Sequence, residues 1–394
     1  MGIVLGRNHF SVSTVILLLL LAHLVGSAAW AANPEPIRFQ HACEPGTQVQ
    51  IGAVGDFLMH GPIQKKASMG GGFTALWKRW IPYMKQVDQM YGNLETPTAP
   101  GMLPGGKVIQ DPGNVFDNRV HTGFPNFNVY AGIIPDLQAS GFDVVSTANN
   151  HALDRGQKGI DSSIDELEKN GLPFSGTRRI GEKRDWSVTL VSKGIRISWI
   201  ACTAILNVPD KAEQILHCER DWYQVAQSIQ RLRKTSDVVI VTPHWGIEER
   251  LQENSFQRRF ARAFLDAGAT AVIGTHPHVV QPMEYYKTKD GRESFIIYST
   301  GNFTTNNPKI PLRTSIFLTL GFTKNANGET FINGVKFIPT YVNDGSGSQR
   351  NEVIALGKDS EGHEAQGLKI IDQVLPDENR LAFGESLLTN PECH

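Results

Sequence analysis

The sequence predicts an α/β fold whose ligand site lies at the carboxyl ends of its strands, and three observations carry that reading. From residue 49 onward, short apolar runs alternate with segments whose apolar residues recur at helical spacing. The clusters rich in Asp, Glu, Asn and His each follow one of the apolar runs, where open α/β sheets bind their ligands. At 394 residues, with 40% hydrophobic and 20% charged residues, the chain can bury a sizeable core as one large domain or two smaller ones.

Val49 to Phe57 reads as a buried strand and Leu76 to Val87 as a helix. Met90 to Glu95 is a short strand. Residues 97 to 130 are rich in Gly, Pro and Asn and lack periodicity, which predicts a long loop of the kind that caps a site or binds something. Ile133 to Ser140 is a short helix stopped by Gly141, and Asp143 to Thr147 a strand. Ile160 to Asn170 is an amphipathic helix ended by Gly171 with Pro173 beyond it. Trp186 to Ile200 holds two strands around a Lys193-Gly194 turn. Trp222 to Lys234 and Phe256 to Ala267 read as helices, Val238 to Thr242 and Ala271 to Gly274 as strands. Phe295 to Ser299, Ser315 to Leu320 and Val335 to Val342 are further strands, and the last fifty residues are polar and weakly patterned.

A formal net charge of -1 provides no basic field for a nucleic acid, and no nucleic-acid partner is expected. Arg178-Arg179 and Arg258, Arg259 and Arg262 read as solvated surface. At the N-terminus, Arg7 and His9 precede an apolar run from Val12 to Val25, and Ala29-Trp30-Ala31 offers a small-x-small cleavage site. That layout is a signal peptide over residues 1–31. As a helix the run would cover about 21 Å, short of a ~30 Å hydrocarbon core. The expected location is periplasmic or extracellular; the alternative is a chain anchored by an uncleaved N-terminal segment, its one route to membrane contact. Cys43, Cys202, Cys218 and Cys393 allow three disulfide pairings in an exported chain, and none shows the C-x-x-C spacing of a zinc-thiolate site.

The chemistry-bearing residues fall in order at successive strand ends. Gly55-Asp56 comes first, with His60 four residues on; Gly92-Asn93-Leu94-Glu95 follows. Asn149-Asn150-His151 with Asp154 and Gly156 is third, then His244-Trp245-Gly246 with Glu248 and Glu249, then Thr275-His276-Pro277-His278. Ser299-Thr300-Gly301-Asn302-Phe303 adds Gly and Asn without an ionisable group. Each piece alone has an ordinary explanation: Gly-Asp as a turn or helix cap, Asn as a turn residue, a lone His as a structural residue, and Trp77, Trp80 and Trp245 as core or pocket wall. Together, oxygen and imidazole donors on five strand tips suit a borderline divalent ion. Two such ions ~3.5–4 Å apart can share a water and clamp an in-line displacement, with Glu95 as the candidate bridging carboxylate. His151 is the candidate acid for a leaving group, and Asp154 the partner that would set its tautomer.

These segments resemble the bacterial capsule synthesis protein CapA family, a branch of the calcineurin-like metallophosphatases. The resemblance runs over residues 48–305 and rests on Val54-Gly55-Asp56, Asn93-Leu94-Glu95, Ala148-Asn149-Asn150-His151 with Asp154 and Gly156, His244-Trp245-Gly246, His276-Pro277-His278-Val279 with Gln281, and Ser299 to Phe303. It implies a four-layer α/β/β/α sandwich; around the matched region, residues 32–47 read as a leader and residues 306–394 as C-terminal strands of the same domain plus a polar tail. It implies Asp56, Glu95, Asn150, His244, His276 and His278 as ligands of two divalent ions (Mn, Fe or Zn), and His151 as acid or transition-state stabiliser. The implied partners are a surface polysaccharide or polyglutamate polymer and membrane-bound machinery that makes it. Two departures from the wider phosphatase pattern stand out: His60 lies beyond the usual Asp-x-His spacing, and Glu95 replaces the usual Asp.

Three functions are compatible with these residues. One is a metal-dependent hydrolase acting on a phosphoester, or on an amide or ester bond of a capsule polymer such as poly-γ-glutamate. Another is a polymer-binding or assembly factor whose metal site is structural. The third is an exported α/β domain without metal.

Overall fold

The computed structural model describes Met1, Gly2 and residues 34–390. The expected signal peptide and Cys393 lie outside the described residues. In chain order the elements are β1 (Thr47–Phe57), α1 (Gly61–Ser68), α2 (Thr74–Trp77), α3 (Ile81–Met84), β2 (Gln89–Asn93), α4 (Ile133–Ser140), β3 (Val144–Ser146), α5 (Gly156–Asn170) and β4 (Phe174–Ser175). There follow β5 (Ser187–Ser192), β6 (Ile195–Thr203), α6 (Trp222–Arg233), β7 (Val238–His244), α7 (Ser255–Ala267), β8 (Ala271–Ile273), β9 (Met283–Lys287), β10 (Glu293–Ile297) and β11 (Asn302–Thr304). The chain closes with α8 (Ile310–Arg313), β12 (Thr314–Lys324), β13 (Thr330–Val342), β14 (Val353–Ala355) and α9 (Gly362–Val374).

One sheet has the order β14-β13-β12-β1-β2-β3-β4, with β11 also paired to β1; the other has the order β5-β6-β7-β8-β10-β9. Strand alternation makes the layers, because successive side chains leave opposite faces. On β1, Val49, Ile51 and Ala53 enter the core between the sheets, while Val54 and Phe57 enter the core beneath the first helices. On β7, Val238 and Ile240 face the first sheet, while Val239 and Val241 meet α6 and α7 through Ile229, Phe264 and Leu265. Tyr91 and Trp199 stack across the inter-sheet core with ring centroids 5.1 Å apart. The four layers implied by the family resemblance are therefore present: helices, sheet, sheet, helices.

Local signals explain most elements. Asn254 and Gln257 form a reciprocal capping box that starts α7. Gly171, with φ 66°, ends α5. Lys193 and Gly194, with φ 51° and 78°, make the tight turn joining β5 to β6.

Two expectations need correction. The single helix over Leu76 to Val87 is two four-residue helices, α2 and α3, because Pro82 belongs to a first helical turn and cannot sit inside a continuous one. The polar tail contains α9, whose Ile371 and Val374 pack into the inter-sheet core and supply the stability that its weak periodicity does not. The 97–130 segment is a loop, as its composition predicts, pinned by isolated pairings such as Thr122 with Asn128. Trp77, Trp80 and Trp245 are all fully buried. Cys202 is bonded to Cys218; Cys43 is disulfide-bonded as well. Among the described residues, no helix is long and apolar enough to cross a membrane.

Candidate metal centre

The carboxyl ends of β1, β2, β3, β7 and β8 converge, so both sheets contribute to one buried cluster. Asp56 lies near the end of β1, where its N–H donates to Gly301 O at 3.0 Å. Only glycine permits that approach at residue 55, whose Cβ would lie 1.8 Å from Gly301 O. Glu95 follows β2, Asn149 to His151 follow β3, His244 ends β7 and His276 follows β8. His276 and His278 both adopt left-handed backbone, φ 95° and 60°, a costly conformation for non-glycine residues that tends to occur at functional sites.

Two sets of ligand atoms each lie within 4.8 Å of one another: Asp56, Glu95 and His244, and Glu95, His276 and His278. Glu95 belongs to both. Asn150 joins them, with Oδ1 2.9 Å from His244 Nε2. His276 Nδ1 and Glu95 Oε1 approach the same His244 Nε2 at 3.1 and 3.5 Å. Atoms of ligand type thus crowd one point inside the protein. Both Glu95 carboxylate oxygens are buried with no hydrogen-bond partner among the described residues. Burial, followed by the nearby Asp56 carboxylate, pushes Glu95 well above the usual carboxylate range. Burial also drives His244 far below the ordinary imidazole range and His276 down to about 3, which leaves both rings neutral and able to coordinate. His278 goes the other way: burial lowers it, but the hydrogen bond and charge of Asp56 outweigh that and raise it.

A buried carboxylate without a hydrogen-bond donor, as at Glu95, is expensive unless a cation sits beside it. The donor set of carboxylate, amide and imidazole fits divalent cations, and Asp56, Glu95, Asn150, His244, His276 and His278 are the residues that could hold them.

His151 and Asp154 stand beside this cluster. Asp154 Oδ2 lies 2.8 Å from His151 Nδ1 and accepts the Phe127 N–H at 2.6 Å. The Phe127 ring meets His151 edge-on, with centroids 4.7 Å apart. The 97–130 loop therefore packs onto the tip that carries His151. His60 lies outside both ligand-atom sets; it packs against Phe127, accepts the Asn306 N–H at 3.3 Å, and is held down to about 4, first by burial.

Several contributors carry no distinct signal in the sequence. Asn93, read there as a turn residue, donates Nδ2 to Asp56 Oδ1 at 2.7 Å and lies 3.3 Å from His244 Nδ1. Asn302, noted only for lacking charge, lies 3.0 Å from His278 Nδ1. Thr275 Oγ1 lies 3.0 Å from His244 Nδ1. Such outer partners orient coordinating rings. Their only trace in the sequence is as polar residues inside the motifs. Arg155 leaves none: its buried guanidinium donates to the carbonyls of Met102, Val120, Asn126 and Asp154 and so pins the 97–130 loop.

A sequence model of the family described as "Bacterial capsule synthesis protein PGA_cap" matches residues 50–307. The PGA biosynthesis protein CapA of Bacillus subtilis is 27% identical over 319 residues, covering 78% of this chain and 77% of that protein. The capsule biosynthesis protein CapA of Bacillus anthracis is 27% identical over 297 residues, covering 73% of this chain and 67% of that protein. A probable polyglutamine synthesis accessory protein of Mycobacterium tuberculosis is 26% identical over 194 residues, covering 45% of this chain and 48% of that protein.

Proposed function

The chain belongs to the bacterial capsule synthesis protein family PGA_cap, and from that premise we propose that it is an exported, metal-dependent hydrolase acting in the synthesis, attachment or release of a capsule polymer such as poly-γ-glutamate. The observation that carries this reading is the unpartnered, fully buried Glu95 carboxylate shared by two sets of ligand atoms. Bound divalent cations would supply Lewis acidity and a water whose pKa is lowered towards neutrality. The chain's own residues supply the rest. Asp56, Glu95, Asn150, His244, His276 and His278 hold the cations. Asp154 accepts from Nδ1 and fixes the orientation of the His151 ring, so that its Nε2 is the atom that can hand a proton to a leaving oxygen or nitrogen. Phe127 covers one edge of that pair and limits water around it.

Export is supported by the N-terminal apolar run with its cleavage-like Ala29-Trp30-Ala31 and by the Cys202–Cys218 disulfide, which oxidising compartments favour. The substrate is a surface polymer or a phosphoester linked to it, met beside membrane-bound synthesis machinery. The test is elemental analysis of the purified protein coupled to a panel of phosphodiesters, phosphomonoesters and γ-glutamyl peptides. Stoichiometric Mn, Fe or Zn with turnover is expected; metal without turnover on the whole panel overturns the hydrolase reading.

A second reading, a non-catalytic assembly factor with a structural metal site, draws on the relatives' names, which speak of biosynthesis and of an accessory role. His151→Ala separates the two: hydrolysis falls by about 10²–10⁴ if His151 is the acid, whereas polymer assembly in cells survives if it is not.

A further inference from the structure

The loop from Ala204 to His217 lies against His244 and Asn150, two of the residues assigned to the cations. β6 and β7 are paired so that Thr203 sits opposite His244. Ala204 N–H donates to His244 O at 2.9 Å, Thr203 N–H to Leu216 O at 2.9 Å and Cys218 N–H to Thr203 O at 2.8 Å. The buried Cys202–Cys218 disulfide closes the base of the loop. From it Asn207 reaches across to the first sheet: its N–H donates to Asn150 O at 3.3 Å, and its Oδ1 accepts Asn150 Nδ2 at 3.4 Å.

That second bond decides which end of the Asn150 amide enters the centre. An amide has one accepting and one donating end of nearly equal size. With Nδ2 given to Asn207, Oδ1 faces His244 Nε2 at 2.9 Å, so the oxygen end of the amide is turned to the ring nitrogen that would hold the cation. Without Asn207, a half-turn of the amide would place Nδ2–H against His244 Nε2. That flipped state is open to the metal-free protein through the other imidazole tautomer, and it turns a donor towards the place of the cation.

We propose that Asn207 is a positioning residue that holds the Asn150 amide with its oxygen towards the cation site, and that the disulfide-closed loop is the arm that presents it. The inference rests on the metal-centre reading but reaches a residue outside the motifs that support it. Asn207 is solvent-exposed, so its replacement leaves no cavity and the fold tolerates it.

The test is Mn²⁺ binding to the metal-stripped full-length protein, followed by loss of the free-ion electron paramagnetic resonance signal. Asn207→Ala is expected to weaken Mn²⁺ binding by about 10–100-fold, the usual effect of losing an outer partner of a ligand. Asn207→Asp keeps an acceptor for Asn150 Nδ2 and is expected to bind within about threefold of the parent. Equal affinity of Asn207→Ala and the parent, or equal weakness of Asn207→Asp and Asn207→Ala, overturns the proposal and leaves the metal centre standing. A parent that takes up no Mn²⁺, Co²⁺ or Zn²⁺ overturns both.

Discussion

Replacing Glu95 by Gln should stabilise the metal-free protein and destabilise the metal-loaded one. Glu95 and Asp56 offer carboxylate oxygens within 4.8 Å of each other in a fully buried site. At an effective dielectric of about 20, two unit charges at that separation would repel by roughly 3 kcal/mol, and the metal-free protein avoids this only by taking up a proton at Glu95, a cost of folding that the neutral amide of Glu95→Gln does not bear. The Glu95 carboxylate has no donor to offset this, whereas the amide of Glu95→Gln brings its own N–H towards Asp56. About 1 kcal/mol shifts a melting temperature by about 2–4 °C in domains of 150–250 residues and by less in larger ones, so the metal-free variant should melt a few degrees above the parent. Metal reverses the order. At a hundredfold excess over the dissociation constants each of two cations adds about 2.7 kcal/mol to the parent, together more than the roughly 3 kcal/mol that separates the metal-free proteins, and Glu95→Gln, lacking the shared carboxylate, loses most of that gain. The assay is differential scanning fluorimetry of both proteins, with chelator and with saturating Mn²⁺, and the signature is a crossing of the two orders. If Glu95→Gln instead lowers the melting temperature equally in both conditions, Glu95 is an ordinary buried structural residue and the two-cation reasoning fails.

Asp154→Asn should retain metal but reduce turnover by an amount approaching that of His151→Ala, because the amide can present its N–H to Nδ1 and no longer fixes the tautomer and orientation of the ring; metal analysis beside steady-state rates checks this. Gly55→Ala drives a methyl group to 1.8 Å from a backbone carbonyl, and a urea midpoint should report a loss of about 1–3 kcal/mol or more, since backbone cannot step aside as a side chain can. Removing the Cys202–Cys218 bond by a double Ala substitution frees a loop with sequence separation 16 and should cost roughly 3 kcal/mol in equilibrium unfolding; an unchanged midpoint would show that the loop is held by its hydrogen bonds alone.

The candidate site was legible in the sequence because its ligand-type residues follow strands, and strands advertise themselves by apolar runs. Type and place put Asp56, Glu95, Asn150, His151, His244, His276 and His278 among the strand-end candidates, and the family resemblance singled out the ligand set from neighbours such as Asn149 and Glu248. What orients them could not. Asn93, Thr275 and Asn302 act through contacts with residues far away in the chain, and an amide or hydroxyl looks the same in sequence whether it turns a loop or holds an imidazole. The long 97–130 loop was visible as a loop, but Arg155, the residue that pins it beside His151, was not.

By itself the sequence determined the alternation of strands and helices, the hairpin at Lys193-Gly194 and the kinds of atom available to a cation. These are local properties, encoded by periodicity, turn chemistry and residue type. The tertiary structure decided the rest: that β11 returns to pair with β1 beside Asp56, that two sheets bring His244 against Asn150, and that α9 finds a core its own pattern hardly announces. Those outcomes depend on pairing and burial between segments distant in the chain, which no window of sequence contains.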